Sequence, residues 1–351
     1  MPGHFGQIRS LPIDQWPEAD RSAWMDACRP AERLRRGGAA SHLREITQRD
    51  LARRYGYFLD HVQRSEGIDR NAEVATYVTP DRVSRFVAEL QARVGSVTMY
   101  GSIYKLRRTA QLLAPWRDLS WLTEIEKDLE LVMQPKTKFH RLIYSHVLLE
   151  AGLTLMAEVD SSTNWSALAR ARQFRNGLMV ALLALHMIRL KNFAALEMGR
   201  TFRQVNGAWW IVLPALETKE KRADERPVDP CLTRWIDQYL AVQRPVLART
   251  DAPPPALWLS CNDGKAMSCS GVARVISQTT LATVGIDLSP HLFRVGGAST
   301  AAVYAGGIPR LASALLHHTD PVVTEEYYNR ADGLSAAQAY AALIRGFRNR
   351  D

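Results

Sequence analysis

One run of β-type residues, Ala208–Leu213, stands in a chain whose other patterned segments have helical spacing. The run holds two tryptophans, an isoleucine and a valine, residue types that favour strands. A polar turn over 218–224 and a short return over 226–228 follow it, which predicts a β-hairpin. Elsewhere apolar residues recur at helical intervals. The sequence therefore predicts a mainly α fold with a small β-hairpin or sheet, of the α+β class.

Several helices are predicted before this run, and the clearest start is at Thr79, Pro80 and Asp81. It combines a capping hydroxyl, a proline in the first turn and an acid near the positive end of the helix dipole. The helices of the first half are predicted over 47–64, 80–90, 97–113 and 121–133, and they form a compact all-α module. Those of the second half are predicted over 140–158, 166–185, 231–245, 270–284, 291–304, 308–316, 321–328 and 335–346.

These patterns divide the chain into four segments. Residues 1–45 are rich in Pro, Gly and Arg and are expected to form a loosely structured arm with one short helix near 21–28. Residues 46–134 form the helical module, 135–139 a linker, and 140–351 a second domain that ends in an amphipathic tail helix. The length of 351 residues suits two domains, each with its own core.

Charge permits a polyanionic partner without requiring one. The 45 Lys+Arg and 36 Asp+Glu residues give a net charge of +9. The predicted exposed positions of the front helices are basic, which fits either a solvated face or a phosphate-binding face. These residues are Arg82, Arg85, Arg93, Lys105, Arg107 and Arg108.

Other classes of protein are disfavoured. The longest apolar run, 177–188, is shorter than the roughly 20 residues that a membrane span needs. The N-terminus lacks the apolar core of a signal peptide. The four cysteines are scattered, which argues against a disulfide framework and a zinc cluster. The expectation is an intracellular protein without a membrane partner.

Several residues are candidates for chemistry, and each also has a purely structural interpretation. Arg189 lies in an apolar run over 182–196, where it either meets an anion or extends to water from a helix end. His291 and Arg294 are three residues apart at a helix start and share a face. Lys219 and Lys221 lie in the hairpin turn, as solvated charges or as cations that reach an adjacent groove.

The remaining candidates are near the C-terminus. His317 and His318 are adjacent, so on a helix they point about 100° apart, and no acidic partner is near, which disfavours a metal site. Tyr327 and Tyr328 alone fit core or surface aromatics. The nine residues between His318 and Tyr327 suit a helix–turn–helix that brings the two together.

The order of these residues resembles that of the tyrosine recombinase (phage integrase) family. The family's Leu-Arg-Ile-Ser-Glu-Leu-type box matches Ile188–Leu196, and its His-x-Leu-Arg box matches His291–Arg294. Its Leu-Gly-His and Thr-Thr-x-x-Tyr elements match Leu316–His318 and Val323–Tyr327. The sequence departs from the family at three positions: Asn192 replaces Glu, Val295 replaces His and His317 replaces Gly.

The resemblance implies a helical, SAM-like core-binding domain followed by a catalytic domain that recombines DNA at specific sites. It implies that Tyr327, with Tyr328 less favoured, attacks a phosphodiester to form a 3′-phosphotyrosyl link, without ATP, metal or other cofactor. Arg189 and Arg294 would stabilise the phosphorane, His291 would move a proton, and His318 would bond a phosphate oxygen. Lys219, with Lys221 as the alternative, would protonate the leaving 5′-oxygen.

Further expectations concern partners and location. The resemblance implies double-stranded DNA as the partner and a homotetramer on synapsed DNA, with the tail helix docking on a neighbouring protomer. Arg82, Arg85, Lys105, Arg107 and Arg108 are the expected DNA contacts of the front module. The protein would be cytoplasmic, associated with the nucleoid, and would act in integration or recombination of a mobile element.

Two other functions compete with recombination. One is a relaxing enzyme of the type IB topoisomerase kind, against which stands the lack of a large clamp-forming N-terminal region. The other is a catalytically silent DNA-binding or architectural protein of the same fold. The complete set of Arg189, His291, Arg294, His318 and Tyr327 favours the active enzyme.

Overall fold

Helices make up most of the regular structure in the computed structural model, which describes residues 8–135, 139–161, 165–219, 221–250, 252–304 and 316. The chain divides into two compact units, a front unit of residues 1–137 and a second unit of residues 138–351. The predicted helices over 321–328 and 335–346, and all but Leu316 of 308–316, lie outside the described residues. Among the described helices, none is long and apolar enough to cross a membrane.

The helices described in the front unit follow the predicted ones closely. They are α1 (Glu18–Cys28), α2 (Glu45–Ser65), α3 (Pro80–Arg93), α4 (Ser96–Leu113) and α5 (Ser120–Leu131). The predicted start at Pro80 is confirmed, but the Thr79 hydroxyl makes no capping hydrogen bond. Extended backbone at Thr79 and the fixed φ of Pro80 are what begin this helix.

In the predicted arm, the short helix expected near 21–28 is confirmed as α1, whereas the expectation of a loose segment is wrong around Trp16. Trp16 is 1% exposed, and its ring meets Tyr55 of α2 edge-on at 4.9 Å between centroids. The indole Nε1 of Trp16 donates to the carbonyl of Leu11 at 3.0 Å. Buried Asp20 of α1 accepts hydrogen bonds from the Tyr55 hydroxyl at 2.7 Å and the Ala75 amide at 2.6 Å. The buried ring of Trp16 and the satisfied carboxylate of Asp20 outweigh the Pro- and Gly-rich composition.

In the second unit, the described helices surround a buried α7. They are α6 (Ser145–Ser161), α7 (Ala167–His186), α8 (Leu190–Ala194), α9 (Thr233–Gln238), α10 (Arg244–Ala248), α11 (Cys269–Val284) and α12 (Pro290–Tyr304). α7 is buried on nearly all sides, which explains the apolar run over 177–188. α6 and α7 come close at two glycines, since a Cβ on Gly152 would lie 2.7 Å from the Gly177 carbonyl oxygen.

The predicted helix over 231–245 is interrupted. A five-residue π-helix, Tyr239–Gln243, separates α9 from α10, and the Arg244 amide donates to the Tyr239 carbonyl five residues back. Pro245 follows at the start of α10 and has no amide hydrogen to donate to the turn before it. A widened turn is a common way to accommodate that missing hydrogen bond.

The sheet has three antiparallel strands in the order β1 (Phe202–Val205), β2 (Ala208–Leu213) and β3 (Asp224–Pro227). β2 has the predicted bounds, and its Trp209, Ile211 and Leu213 face the core. β1 was not predicted, because only Phe202 of its four residues is buried and no alternation is visible. The turn Asn206–Gly207, with φ of 50° and 80°, is the sequence signal that marks this hairpin. The predicted mainly α fold with a small sheet is confirmed.

Candidate active site

Arg189 lies at a bend between two helices rather than inside one. α7 ends at His186, and Met187 adopts a left-handed conformation with φ 47°, its amide donating to the Leu183 carbonyl. Arg189 is extended and immediately precedes α8, and the amides of Asn192 and Phe193 both donate to its carbonyl at 2.9 Å. The Arg189 side chain is half-buried. The apolar run thus turns sharply and presents one arginine at its corner.

Arg294 of α12 reaches the same corner. It is 5% exposed, and its Nη1 donates to the Met187 carbonyl at 2.5 Å. Its Nη2 donates to the Leu316 carbonyl at 2.7 Å, two residues before His318 in the sequence. The fold of the second unit therefore brings the guanidinium of Arg294 to the backbone at Met187, two residues before Arg189. Arg189 and Arg294 are 105 positions apart in the sequence.

Two glycines allow α12 to approach this closely. A Cβ on Gly297 would lie 1.5 Å from the Met187 sulfur, and a Cβ on Gly296 would lie 2.4 Å from the Ile143 carbonyl oxygen. Both distances are far below van der Waals contact. Gly296 and Gly297 thus determine how near Arg294 comes to the end of α7.

His291 lies in the first turn of α12 and is exposed, whereas Leu292 and Phe293 are buried. Since α12 continues through Arg294, the two polar residues lie on one helical face, as predicted. The buried pair between them packs α12 into the core. His291 is therefore carried by the same rigid element as Arg294.

The hairpin lysines lie in a loop that Thr218 closes. The Thr218 hydroxyl contacts the Arg222 carbonyl oxygen at 2.7 Å and accepts a hydrogen bond from the Arg222 amide at 3.1 Å. Lys219 and Lys221 are both exposed, and Lys221 has a φ of 53°, in the left-handed region. The two lysines thus differ in backbone conformation, with Lys219 next to the buried threonine.

Arg226 of β3 is a residue that sequence reasoning did not assign to the site. Its Nε and Nη2 donate to both carboxylate oxygens of Asp224 at 2.6 and 2.9 Å, and its Nη1 donates to the His186 carbonyl at 2.5 Å. The alternation of a strand places Asp224 and Arg226 on one face, but no sequence pattern connects Arg226 to His186 forty residues earlier. Two guanidinium groups from β3 and α12 therefore bind the consecutive carbonyls of His186 and Met187.

His186 itself is buried and uncharged. Burial, and to a smaller extent the charge of Arg226, lower the pKa of its imidazole to about 4. Within the described residues, its Nε2 has no hydrogen-bond partner. A neutral ring is the form that this environment favours, since a second cation beside Arg226 would raise the free energy of the site.

A solved structure shares this architecture. No protein-family model and no curated protein matches the chain. The XerH site-specific recombinase, solved bound to difH substrate as a pre-cleavage complex, superposes with a TM-score of 0.56 at 13% identity, covering 94% of this chain and 97% of that one. XerA recombinase has a TM-score of 0.40 at 15% identity, covering 87% of this chain and 94% of that one. The chain has the tyrosine recombinase fold. The resemblance on the ordered motifs is confirmed at the level of the fold.

On the tyrosine recombinase fold of this chain, the predicted DNA contacts of the front unit all have partners within that unit. Arg82 and Arg85 face Glu66 at 2.5 and 3.7 Å, and Lys105 faces Asp50 at 2.5 Å. Arg107 pairs with Glu126 at 2.5 Å, and Arg108 donates to the Tyr104 hydroxyl at 3.2 Å. The side chain of Arg85 is 54% exposed and that of Arg107 only 17%. Arg85 is thus far more available to a partner than Arg107.

The remaining predicted site residues, His318, Tyr327 and Tyr328, lie outside the described residues. In the part of the chain that the structure describes, no group of three or more His, Cys, Asp or Glu side chains is placed to hold a metal ion. Within the described residues, the groups that meet at the end of α7 are the guanidinium groups of Arg226 and Arg294, next to the bend that carries Arg189.

Proposed function

We propose that this protein is a site-specific DNA recombinase that cleaves and rejoins strands through a 3′-phosphotyrosyl intermediate. One observation supports it above the others. On a tyrosine recombinase fold, Arg294 donates to the Met187 carbonyl, two residues from Arg189, so both predicted phosphate-binding arginines belong to one corner. A pair of guanidinium groups suits the non-bridging oxygens of a phosphodiester.

The proposed reaction is a transesterification. The Tyr327 oxygen attacks phosphorus as its proton passes to a base, for which we propose His291, and the bond from phosphorus to the 5′-oxygen breaks. Lys219, or Lys221 in its place, gives a proton to that oxygen. Arg189, Arg294 and His318 stabilise the charge that develops on the non-bridging oxygens. A 5′-hydroxyl of another strand then reverses the step, so the energy of the bond is retained and no cofactor is consumed.

We further propose that the front unit binds duplex DNA through its phosphates. Arg85 and Lys105 fit this role best, because their partners are partly exposed carboxylates that a phosphate can replace. Arg82 and Arg108 would add to the same contact. Arg107 would contribute least, since releasing it would leave the buried Glu126 without its counter-charge.

The proposed assembly is a tetramer on synapsed DNA, with the tail helix over 335–346 docked on a neighbouring protomer. Its apolar positions recur at helical spacing directly after Tyr327. Truncation after Gly333 tests this part, because it removes that helix and leaves Tyr327 in place. We expect tetramers to be lost on DNA in analytical ultracentrifugation, while binding of a single site persists.

The decisive test is covalent trapping. Cells expressing the wild-type chain are lysed in denaturant, protein-linked DNA is recovered, and its ends are sequenced to map the cleavage site. Oligonucleotides that carry the mapped site and a nick then serve as suicide substrates in vitro. Tyr327→Phe should form no adduct, and Tyr328→Phe is the matched control that should form it.

The competing functions give different outcomes. DNA binding without any adduct in the wild type would indicate an architectural protein. Relaxation of a supercoiled plasmid with no recombinant product from a two-site plasmid would indicate a relaxing enzyme. Adduct formation by Tyr327→Phe would overturn the assignment of the nucleophile.

A further inference from the structure

The end of α7 receives two arginines, and only one of them belongs to the proposed phosphate-binding set. Arg294 binds the Met187 carbonyl, and Arg226 binds the carbonyl of the preceding residue, His186. The last carbonyls of a helix have no intrahelical partner and carry its negative dipole end. Each guanidinium thus satisfies an acceptor that α7 leaves open, immediately before the bend that carries Arg189.

Arg226 also belongs to the hairpin that carries the lysines. In the β2–β3 register it is opposite Ile211, and Asp224 is opposite Leu213, the last residue of β2. The loop between these strands holds Lys219 and Lys221, closed at its base by the Thr218 contacts with Arg222. The backbone of Arg226 is therefore held in the sheet, and its side chain is bound to the last carbonyl of α7.

The link is well defined because little solvent reaches it. The side chains of Arg226 and Asp224 are 12% and 9% exposed, and the guanidinium uses all three nitrogens, two on the carboxylate and one on the carbonyl. Bidentate pairing fixes the plane of the guanidinium as well as its distance. The neighbouring imidazole of His186 is buried and neutral, so it does not repel the cation.

We propose that Arg226 is a positioning residue that fixes the lysine-bearing hairpin to the end of α7. The proton donor on the hairpin and the two phosphate-binding arginines are then all held in position relative to that helix end. This inference rests on the proposed recombinase function. Arg226 does not itself touch DNA in this proposal. It acts through the hairpin, and its loss should affect the step in which the leaving 5′-oxygen is protonated.

The first test needs no DNA. Hydrogen exchange of the full-length protein is followed by mass spectrometry in the wild type and in Arg226→Gln. Loss of a charged, partly buried contact should speed exchange over 214–224 by about ten- to a hundredfold. Exchange in the interior of α7, over 174–182, should stay unchanged. The matched control is Arg203→Gln, an exposed arginine on β1 of the same sheet, which should leave both segments as they are.

Equal exchange over 214–224 in Arg226→Gln and the wild type would overturn the proposal. If Arg226→Gln also speeds exchange in α7, the substitution has destabilised the whole second unit. The test is then repeated with Arg226→Lys in its place. Lysine keeps the charge but cannot bind the carboxylate and the carbonyl as a fork. Local acceleration over 214–224 in that variant supports the link, and its absence refutes the link.

The second test addresses the leaving group. Suicide duplexes with the mapped cleavage site are made with an oxygen or a sulfur at the bridging 5′ position. Sulfur leaves as a thiolate and needs no proton, so a variant that impairs only proton donation should recover on the sulfur substrate. We expect Arg226→Gln to slow cleavage of the oxygen substrate by about tenfold or more and to cleave the sulfur substrate within about threefold of the wild type.

Reference variants make the outcome specific. Lys219→Ala should show the same recovery, and Arg294→Lys should remain slow on both substrates, because its group acts on the non-bridging oxygens. If Arg226→Gln is equally slow on both substrates, Arg226 does not act through the proton donor and the proposal fails. If the wild type forms no adduct on either substrate, the proposed recombinase function fails, and the exchange experiment alone decides whether the link exists.

Discussion

The buried imidazole of His186 makes the stability of the second unit depend on pH in a defined direction. In the folded chain its pKa is lowered to about 4, first by burial and then by the charge of Arg226, whereas the unperturbed value is 6.5. Between these two values the unfolded chain binds a proton that the folded chain does not. Stability contributed by the neutral ring is therefore complete above pH 6.5 and is lost as the pH falls toward 4.

The size of the effect follows from that difference. Each pKa unit is worth about 1.4 kcal/mol, so lowering the pH from 7 to 5 should cost about 2 kcal/mol of unfolding free energy. His186→Gln cannot titrate and should lack this loss. Since the two proteins differ only at residue 186, the difference between wild type and variant reports the imidazole.

The free energy of unfolding is measured in urea by hydrogen exchange of α7, because α7 belongs to the core of the second unit. The wild type should weaken relative to His186→Gln by about 2 kcal/mol between pH 7 and pH 5. A difference that is constant over this range, or that grows in favour of the wild type at pH 5, would refute the argument. In Arg226→Gln the pH dependence should be smaller but still present, because burial is the larger cause and remains.

Three further results are expected. Gly152→Ala should destabilise the second unit by about 1–3 kcal/mol in denaturant unfolding, since its Cβ would press on the α7 backbone. The control Gly101→Ala has open space around its Cβ in α4 and should stabilise the front unit by about 0.5–1 kcal/mol. Destabilisation by both substitutions would contradict this argument. Gly296→Ala should shift α12 from the Ile143 carbonyl and lower the adduct yield on a suicide duplex at unchanged DNA affinity; a normal yield would show that this spacing is not critical. Arg85→Gln should weaken binding of duplex DNA and reduce the salt slope by about 1, while Arg107→Gln should mainly lower the melting temperature of the front unit; the reverse pattern would refute the assignment.

Sequence periodicity predicted most of the described helices because burial of one face repeats every three to four residues, but it did not predict the five-residue α8. It failed where burial depends on distant partners. The segment around Trp16 has the composition of a loop, yet its tryptophan completes the core formed by α2. β1 presents a single buried residue and was missed for the same reason, although Asn206–Gly207 marked its turn.

For the site, the residue types and their order were readable from the sequence alone. Arg189, His291, Arg294 and the hairpin lysines were candidates because their order along the chain resembles that of the tyrosine recombinase motifs. The roles of His318 and Tyr327 stay predictions, as does the choice between Lys219 and Lys221. Arg226 was overlooked, because an arginine next to acidic residues on a strand is ordinary in sequence.

The sequence by itself determined the fold class and the candidate chemistry, because periodicity and residue type are local properties of the chain. Only the tertiary structure decided that Arg226 and Arg294 bind neighbouring carbonyls at the end of α7. Those contacts join residues 40 and 107 positions apart, and the contact of Arg294 also depends on the close approach of α12 that Gly296 and Gly297 permit. Distance in space between such segments is set by packing of the whole second unit, and no local pattern encodes it.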